Sequence, residues 1–444
     1  SATAANRPNI LIYLVDTLRA DALGVYGNPV VLTPNIDAFA ADSVVFVNAF
    51  ANSSWTRPSV ASLFTGLYPL SHGTETRHDA LPPGVPTLAT QMRAAGYRTG
   101  FINTNPNVGS AFGFDRGFDE IIELYTRSEK GGVNPSELIT PSDYASERAI
   151  QWLDDSTVPF LLVVHTIDPH NPYRPPQEFD LYGGDYDGPI DGTTTKTSKM
   201  ELTEADRERV RSLYYGEVSF NDASFGTLLN ALTERALLDE TLVVFTSDHG
   251  EELWEFGKLG HAKSLSDVVT RVPLIVRLPA GAGELGGTRI ERPVELVDLM
   301  PTLLDQVALA HPEDLGGRNL FEDAEDAAPR NLFASLILRR ARLRAVRAYP
   351  YKLIRDLETD EEKLVDLRNE GAEGGEPSGP TANAARALLR AALDLHQARE
   401  RRGREDAPLI SVPEDVEAAL RELGYVEETE SDAELPRGSV ERSY

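Results

Sequence analysis

Carboxylates, histidines and one threonine hydroxyl stand at the positions of this chain that could do chemistry. Asp16 directly follows an apolar run, and Asp248 with His249 follows another. Two carboxylates and an imidazole can hold one divalent cation, and an imidazole ligand favours zinc or manganese over calcium. Such a cation would also hold the hydroxyl oxygen of Thr56 and lower its pKa. The sequence therefore predicts a metal site made of Asp16, Thr56, Asp248 and His249.

The surroundings of Thr56 suit a hydroxyl that attacks an anion. The β-branched run 43–50 predicts a strand, and the apolar spacing after Pro58 predicts a helix that ends at Gly66. Thr56 would then stand at the helix N-terminus, beside unpaired backbone N–H groups and the positive end of the helix dipole. An ordinary helix-capping threonine fits this stretch as well.

Six further residues are candidates for the same chemistry. His170 and His261 are predicted to donate to anionic oxygens or to protonate a leaving group. Substrate binding is predicted for Arg57, Asn105, Asn107 and Lys263. A packing role is the ordinary alternative for a single histidine, and an exposed position is the alternative for Lys263.

The elements that must position these residues alternate between strand and helix. Apolar strands are predicted at 9–15, 98–102, 159–164, 241–246 and 273–278, with helices at 86–95, 141–153 and 204–236 between them. This order indicates a doubly wound, mostly parallel α/β sheet. Asp16, the Asn105 turn, Asp168 with His170, and Asp248 with His249 all follow strand ends. They are therefore expected to converge on one crevice at the carboxyl edge.

The texture of the sequence changes near residue 330. A hairpin around Pro350, a short strand at 363–367 and an amphipathic helix at 382–402 predict a small α+β subdomain. We therefore predict a catalytic α/β domain over 1–330 and the subdomain over 331–426. The acidic tail 427–444 is predicted to be disordered.

Composition excludes several classes of function. Lys and Arg number 43 against 70 Asp and Glu, a net charge of −27 that would repel nucleic-acid backbones. The chain has no cysteine, which excludes disulfides and a cysteine nucleophile. No apolar run is long enough to span a membrane. Residues 1–6 resemble the stub of a removed export signal or of a tag, so a periplasmic or extracellular location is favoured, and the oligomeric state stays open.

In these motifs the chain resembles the sulfatase family of the alkaline phosphatase superfamily over nearly its whole length. The resemblance is carried by Asn9–Ile12 running into Asp16, Thr56–Gly66, Tyr68-Pro69 with His72-Gly73, Asp168-Pro169-His170, Ser247–Glu251, Gly260-His261, 297–304 and 423–426. The resemblance implies a metal-dependent hydrolase of small anionic esters. Thr56 matches the family's nucleophile position.

The sequence departs from the family pattern at that position. Threonine replaces the cysteine or serine that sulfatases oxidise to formylglycine, Val60 stands where the family has arginine, and 103–107 replaces a sulfate-binding Gly-Lys-Trp-His element. A threonine sulfate would have to leave as a poor alkoxide, whereas phosphorylated threonine turns over in related enzymes. The departures therefore favour a phosphodiester or a phosphonate monoester as substrate.

Other interpretations stay open at this point. They are a sulfatase that works without formylglycine, a phosphoethanolamine-type transferase, and an inactive glycan-binding homologue. One metal is favoured because Asp-Pro-His resembles the sulfatase pattern. A second metal held by Asp168, His170 and His261 is the alternative.

Overall fold

The computed structural model describes residues 7–126, 140–154, 159–192, 201–281, 285–322, 330–368, 376–400, 412–423 and 425. The N-terminal stub 1–6 and the predicted acidic tail 427–444 lie outside these residues. The helices are α1 (Pro34–Ala41), α2 (Thr56–Thr65), α3 (Pro69–His72), α4 (Leu88–Ala94), α5 (Ser142–Asp154), α6 (Glu204–Glu234), α7 (Asp267–Thr270), α8 (Leu299–Gln306), α9 (Pro380–Glu400) and α10 (Glu414–Glu422). In the described residues, no helix is long and apolar enough to cross a bilayer.

The strands form one large sheet and several smaller ones. They are β1 (Asn9–Val15), β2 (Val44–Phe46), β3 (Ala49–Phe50), β4 (Arg98–Asn103), β5 (Glu120–Glu123), β6 (Phe160–Thr166), β7 (Thr241–Ser247), β8 (Glu252–Leu253), β9 (Leu259–Gly260), β10 (Arg271–Val272), β11 (Leu274–Arg277), β12 (Arg289–Ile290), β13 (Val294–Glu295), β14 (Leu332–Leu338), β15 (Ala341–Ala348), β16 (Tyr351–Asp356) and β17 (Glu362–Asp366). The large sheet has the order β12-β2-β11-β7-β1-β6-β4-β5.

The centre of this sheet is parallel and is covered on both faces. Strand β1 pairs in parallel with β6 and β7, and β4 pairs in parallel with β6 and β5. Every residue of β1 is buried, because Ile10 and Leu14 face one apolar core while Leu11 and Tyr13 face the other. The predicted doubly wound α/β fold is confirmed.

Two predicted strands differ in detail from the structure. The run 43–50 is divided between β2 in the large sheet and β3 in a small sheet with β10 and β13. The interruption lies at Val47 and Asn48, whose N–H and side-chain amide donate to Ile290 O and Glu291 O. Strand β11 runs antiparallel to β7 and to β2, so the sheet is mostly rather than wholly parallel.

A small antiparallel sheet with the order β14-β15-β16-β17 follows the α/β part of the chain, for which a catalytic role was predicted. Helix α9 packs on β15 and β16 around Val346, Leu353 and Leu393. The small C-terminal α+β unit is therefore present, and β14 is an addition to the predicted elements. Helix α10 packs elsewhere, against the short turns Pro106–Val108 and Leu124–Thr126 of the catalytic part.

Candidate metal-centred active site

The carboxyl ends of four neighbouring strands bring the predicted site residues together. In the order β7-β1-β6-β4, Asp248 follows β7, Asp16 follows β1, His170 follows β6 and Asn105 follows β4. Parallel strands present their carboxyl ends at the same sheet edge, so the loops that follow them share one crevice. The predicted convergence of strand-end residues is thus observed.

Asp16, Asp248 and His249 form a compact group suited to a cation. Their ligand atoms all lie within 4.8 Å of one another, and all three side chains are fully buried. His249 Nε2 lies 3.4 Å from Asp248 Oδ2 and 3.7 Å from Asp16 Oδ1. Within the described residues, no other three His, Asp or Glu side chains have ligand atoms close enough together to hold a metal ion.

Within the described residues, the hydrogen bonds around this group leave one oxygen of each carboxylate without a donor. His249 Nδ1 lies 3.0 Å from the carbonyl oxygen of Gly250, a group that accepts only, so this nitrogen carries the proton and Nε2 presents a lone pair. Asp16 Oδ1 and Asp248 Oδ2 are buried and accept no hydrogen bond from the part of the chain that the structure describes. Two buried carboxylate oxygens and an imidazole lone pair that face one another would be stabilised by a cation between them.

The outer atoms of the same side chains are held in place. Asn105 Nδ2 donates to Asp16 Oδ2, and Asp248 Oδ1 accepts from the backbone N–H of Thr17 at 3.3 Å and of His249 at 2.8 Å. Burial raises the pKa of Asp16 and of Asp248, and the charge of Asp248 raises that of Asp16 further. A divalent cation would reverse this cost and keep both carboxylates ionised.

Thr56 is the first residue of α2, and its hydroxyl faces the acidic group. Thr56 Oγ1 lies 3.3 Å from His249 Nε2, and the residue is fully buried. The helix starts at Thr56 with Trp55 as its N-cap and ends at Gly66, whose φ of 64° is the left-handed conformation that favours glycine. Ser59 Oγ donates to Asp248 O at 2.6 Å and fixes this helix to the loop that carries Asp248 and His249. Thr56 is therefore not the capping residue of its helix.

His170 and His261 lie beside Thr56, with their rings 4.9 Å apart. His170 Nδ1 donates to Asn171 O at 2.6 Å, and His261 Nδ1 lies 3.0 Å from Glu251 Oε1. Burial lowers the pKa of His170 to about 3, and burial also lowers the pKa of His261. Both imidazoles are therefore neutral and direct Nε2 toward the crevice.

Two predicted substrate-binding residues act within the scaffold in the structure. The Arg57 guanidinium is buried and donates to Asn107 O and Oδ1 and to the carbonyl oxygen of Arg77, and it stacks 3.3 Å from the centre of the Phe112 ring. The side chain of Asn105 is committed to Asp16 and to the N–H of Asn107. These two side chains orient neighbours rather than present a free donor.

Asn107 and Lys263 keep groups that could meet a ligand. Asn107 Nδ2 is buried, and within the described residues nothing accepts from it. Lys263 Nζ donates to Leu259 O, and burial lowers the pKa of this ammonium group. The charge of Lys263 also lowers the pKa of His261, which places the lysine at the rim of the same crevice.

The structure does not assemble the alternative second metal site of Asp168, His170 and His261. Asp168 Oδ2 accepts from the backbone N–H of Ser142 at 2.8 Å and from its hydroxyl at 2.6 Å. The carboxylate therefore holds the N-terminus of α5, where backbone N–H groups lack helical partners. Among the described residues, Asp168, His170 and His261 do not form a group with metal-binding spacing, so the structure does not support the alternative of a second metal.

Two residues of the crevice were not predicted as site residues. Glu251 holds His261, and the hydroxyl of Tyr425 lies 3.0 Å from both Thr56 Oγ1 and His261 Nε2. Glu251 belongs to the family motif Ser247–Glu251, and Tyr425 belongs to the motif 423–426. The motifs therefore indicated both residues, but the sequence did not indicate a role for either. Their contacts depend on loop paths that no local pattern specifies.

Comparisons with known proteins agree with this geometry. The family model described as Sulfatase matches residues 8–309, well over half of the chain. The chain belongs to the sulfatase family. Members of this family hydrolyse sulfate or phosphate esters and bind a divalent metal.

Individual sulfatase-family relatives are distant. The uncharacterized sulfatase YidJ of Escherichia coli K12 is 28% identical over 71% of this chain and 70% of its own length. Arylsulfatase K of Bos taurus is 27% identical over 72% of this chain and 66% of its own length. A solved phosphonate monoester hydrolase of Agrobacterium radiobacter is 22% identical with a TM-score of 0.73, covering 89% of this chain and 96% of that one. The match spans about two thirds of the curated relatives, and the structural likeness shows the fold alone.

Proposed function

We propose that this protein is a metal-dependent hydrolase that cleaves phosphoric esters with Thr56 as the nucleophile, and that a phosphodiester or a phosphonate monoester is the substrate class. The observation that carries the proposal is the place of the Thr56 hydroxyl, 3.3 Å from His249 Nε2 and at the N-terminus of α2. An oxygen at that place can be shared between a cation and an attacked phosphorus.

The donor set fits a cation of the zinc or manganese class. Asp16, Asp248 and His249 would hold it through the two unpartnered carboxylate oxygens and the free imidazole nitrogen. When bound, such an ion supplies Lewis-acid stabilisation of negative charge and lowers the pKa of a coordinated hydroxyl. One divalent ion can stabilise the negative charge of a monoanionic ester, whereas a dianionic monoester requires more positive charge.

The chain's own residues account for the remaining steps. As Thr56 Oγ1 attacks phosphorus, its hydroxyl proton passes to the neutral Nε2 of His170 or His261; the bond to the leaving oxygen breaks, and the imidazolium so formed gives that oxygen its proton. Water then attacks the phosphothreonine, the P–Oγ1 bond breaks, and the threonine oxygen is reprotonated. Asn107 and Lys263 are proposed to contact the non-bridging oxygens of the substrate.

Replacement of Thr56 tests the nucleophile. We expect Thr56→Ala to lose at least about a thousandfold in kcat while its fold is retained, because the variant lacks the oxygen proposed to attack phosphorus. Thr65→Ala in the same helix is the matched control, since Thr65 Oγ1 donates to Ala61 O and is remote from the metal group. Full activity of Thr56→Ala would overturn the nucleophile assignment.

A comparison of substrates tests the ester class. The zinc-loaded and manganese-loaded protein would be given an aryl sulfate, an aryl phosphate monoester, an aryl phosphodiester and an aryl phosphonate monoester. We expect the diester or the phosphonate to lead in kcat/KM by orders of magnitude. A leading sulfate would instead support the second candidate, a sulfatase that works with unmodified threonine, which the sulfatase names of the curated relatives favour.

A further inference from the structure

The hydroxyl of Tyr425 lies among the three groups to which the proposed function assigns catalysis. It is 3.0 Å from Thr56 Oγ1, 3.0 Å from His261 Nε2 and 3.4 Å from His170 Nε2. The ring packs beside Trp55, with the centroids 6.4 Å apart, and Tyr425 is itself buried. One side chain from residue 425 thus reaches the proposed nucleophile and the Nε2 atoms of both histidines proposed to transfer protons.

The hydrogen bonds of this hydroxyl run in a consistent direction. His261 and His170 carry their protons on Nδ1, which faces Glu251 and Asn171 O, so each Nε2 is an acceptor. The phenol therefore donates to His261, the nearer of the two, and its oxygen accepts from the hydroxyl of Thr56. Tyr425 satisfies polar atoms that a substrate would otherwise engage.

An ester and this hydroxyl cannot share the space in front of Thr56. Attack requires phosphorus or sulfur to approach within about 3–3.5 Å of the nucleophilic oxygen. The phenol oxygen already lies 3.0 Å from Thr56 Oγ1, and Asp16, Thr56, Asp248 and His249 have no exposed surface. The substrate's anionic group can reach Thr56 only after a side chain moves away.

Helix α10 anchors Tyr425 over the crevice. The helix buries Val416, Ala419 and Leu420 in the same apolar core as helix α2, which begins at Thr56. It also contacts the turn Pro106–Val108, which follows Asn105. Within the described residues, the most extensive contacts of this helix are with the turns Pro106–Val108 and Leu124–Thr126. Its docking therefore determines where the tyrosine lies.

We infer that Tyr425 occupies the place of the substrate's anionic group, so that docking of α10 holds the site closed and an ester must displace the tyrosine to reach Thr56. The effect of this closure on catalysis rests on the proposed role of Thr56. The effect on anion binding depends only on the position of Tyr425. The affinity for an anion is then reduced by the fraction of molecules in which Tyr425 has withdrawn.

Calorimetric binding of inorganic phosphate, with sulfate in parallel, to the manganese-loaded protein tests the inference. We expect Tyr425→Ala to bind the preferred anion about tenfold more tightly than the unaltered protein, and Tyr425→Phe to show a smaller gain because the ring stays. Leu420→Ala, which loosens α10 without contact to the metal group, should change the affinity in the same direction.

Leu389→Ala is the matched control, since Leu389 is equally buried but belongs to α9 and the core of the small sheet. Its anion affinity should equal that of the unaltered protein. Unchanged or weaker anion binding by Tyr425→Ala would overturn the inference. Tighter binding with no ester turned over in any variant would leave it standing and defeat the proposed function instead.

Discussion

At the scale of single residues, the site is marked by two buried carboxylate oxygens, Asp16 Oδ1 and Asp248 Oδ2, that accept no hydrogen bond within the described residues. Asp16 Oδ1, Asp248 Oδ2 and His249 Nε2 face one another, whereas the opposite atoms of each side chain are hydrogen-bonded. This division separates the atoms that orient a ligand from the atoms that bind it. It also predicts how the site responds when one ligand loses its charge.

Asp248→Asn should abolish tight metal binding and reduce turnover about a hundredfold or more. The metal-free variant should be no less stable than the metal-free unaltered protein, because burial raises the pKa of Asp248 and penalises its charge. Metal content by mass spectrometry and the melting temperature with and without chelator measure both effects. Asp239→Asn, at a largely exposed position, is the control, and unchanged metal content in Asp248→Asn would contradict the assignment.

Glu251 is expected to act through His261. Glu251→Gln weakens the partner of His261 Nδ1, so we expect kcat to fall about tenfold to a hundredfold while metal content is kept. Glu252→Gln is the neighbouring control, because Glu252 Oε1 accepts from Ser264 and Ser266 and does not contact the imidazole. Equal losses in the two variants would indicate a general effect of these buried carboxylates and not an orienting role.

At the scale of elements, helix α9 is docked on the catalytic part through a histidine. His396 stacks on Phe333 with centroids 3.7 Å apart and meets the Tyr68 ring edge-on at 4.6 Å. Burial lowers the pKa of His396 to about 3. The stacking therefore depends on the neutral imidazole, and acid should oppose it.

The sign of this pH dependence follows from linkage. The pKa is lower in the folded state than the unfolded value near 6.5, so the contribution is complete above pH 6.5 and is lost as the pH falls toward 3. Between pH 6.5 and 5 the loss is about 2 kcal/mol of the free energy of unfolding. His396→Phe should flatten the stability profile in this window by that amount, and an unchanged profile in this variant would contradict the assignment.

At the scale of the whole molecule, a buried ion network joins the chain after residue 330 to the catalytic part. The Arg330 guanidinium donates to both carboxylate oxygens of Asp298 at 2.8 Å and to Glu295 Oε2 at 2.7 Å. Burial raises the pKa of Glu295 to about 7, and the charge of Arg330 opposes that shift. The arginine therefore permits two buried carboxylates next to the strand β13.

Arg330→Met should destabilise the protein by about 3–5 kcal/mol, because it leaves the two carboxylates buried without their partner. Urea unfolding followed by circular dichroism measures the change. Arg368→Met is the control, since the Arg368 side chain is half exposed and solvent screens its pairing with Asp366. A loss as small in Arg330→Met as in the control would show that the network is unimportant for stability.

The sequence by itself determined the features that depend on local patterns. The apolar run of β1, the helix after Pro58 with its end at Gly66, and the long helix α6 follow from hydrophobic periodicity and from Pro and Gly at their boundaries. Strand-end positions then placed Asp16, Asp248 and His249 in one crevice, because parallel strands share a carboxyl edge.

Only the tertiary structure decided how the remaining side chains are used. Asp168 is drawn to the N-terminus of α5, Arg57 is enclosed by carbonyl oxygens, and Tyr425 is brought from the far end of the chain to Thr56. Each outcome depends on contacts between residues distant in sequence and on competition among hydrogen-bond partners for the same buried atoms. Spacing along a chain encodes neither, so a residue's type could name its chemistry but not its partner.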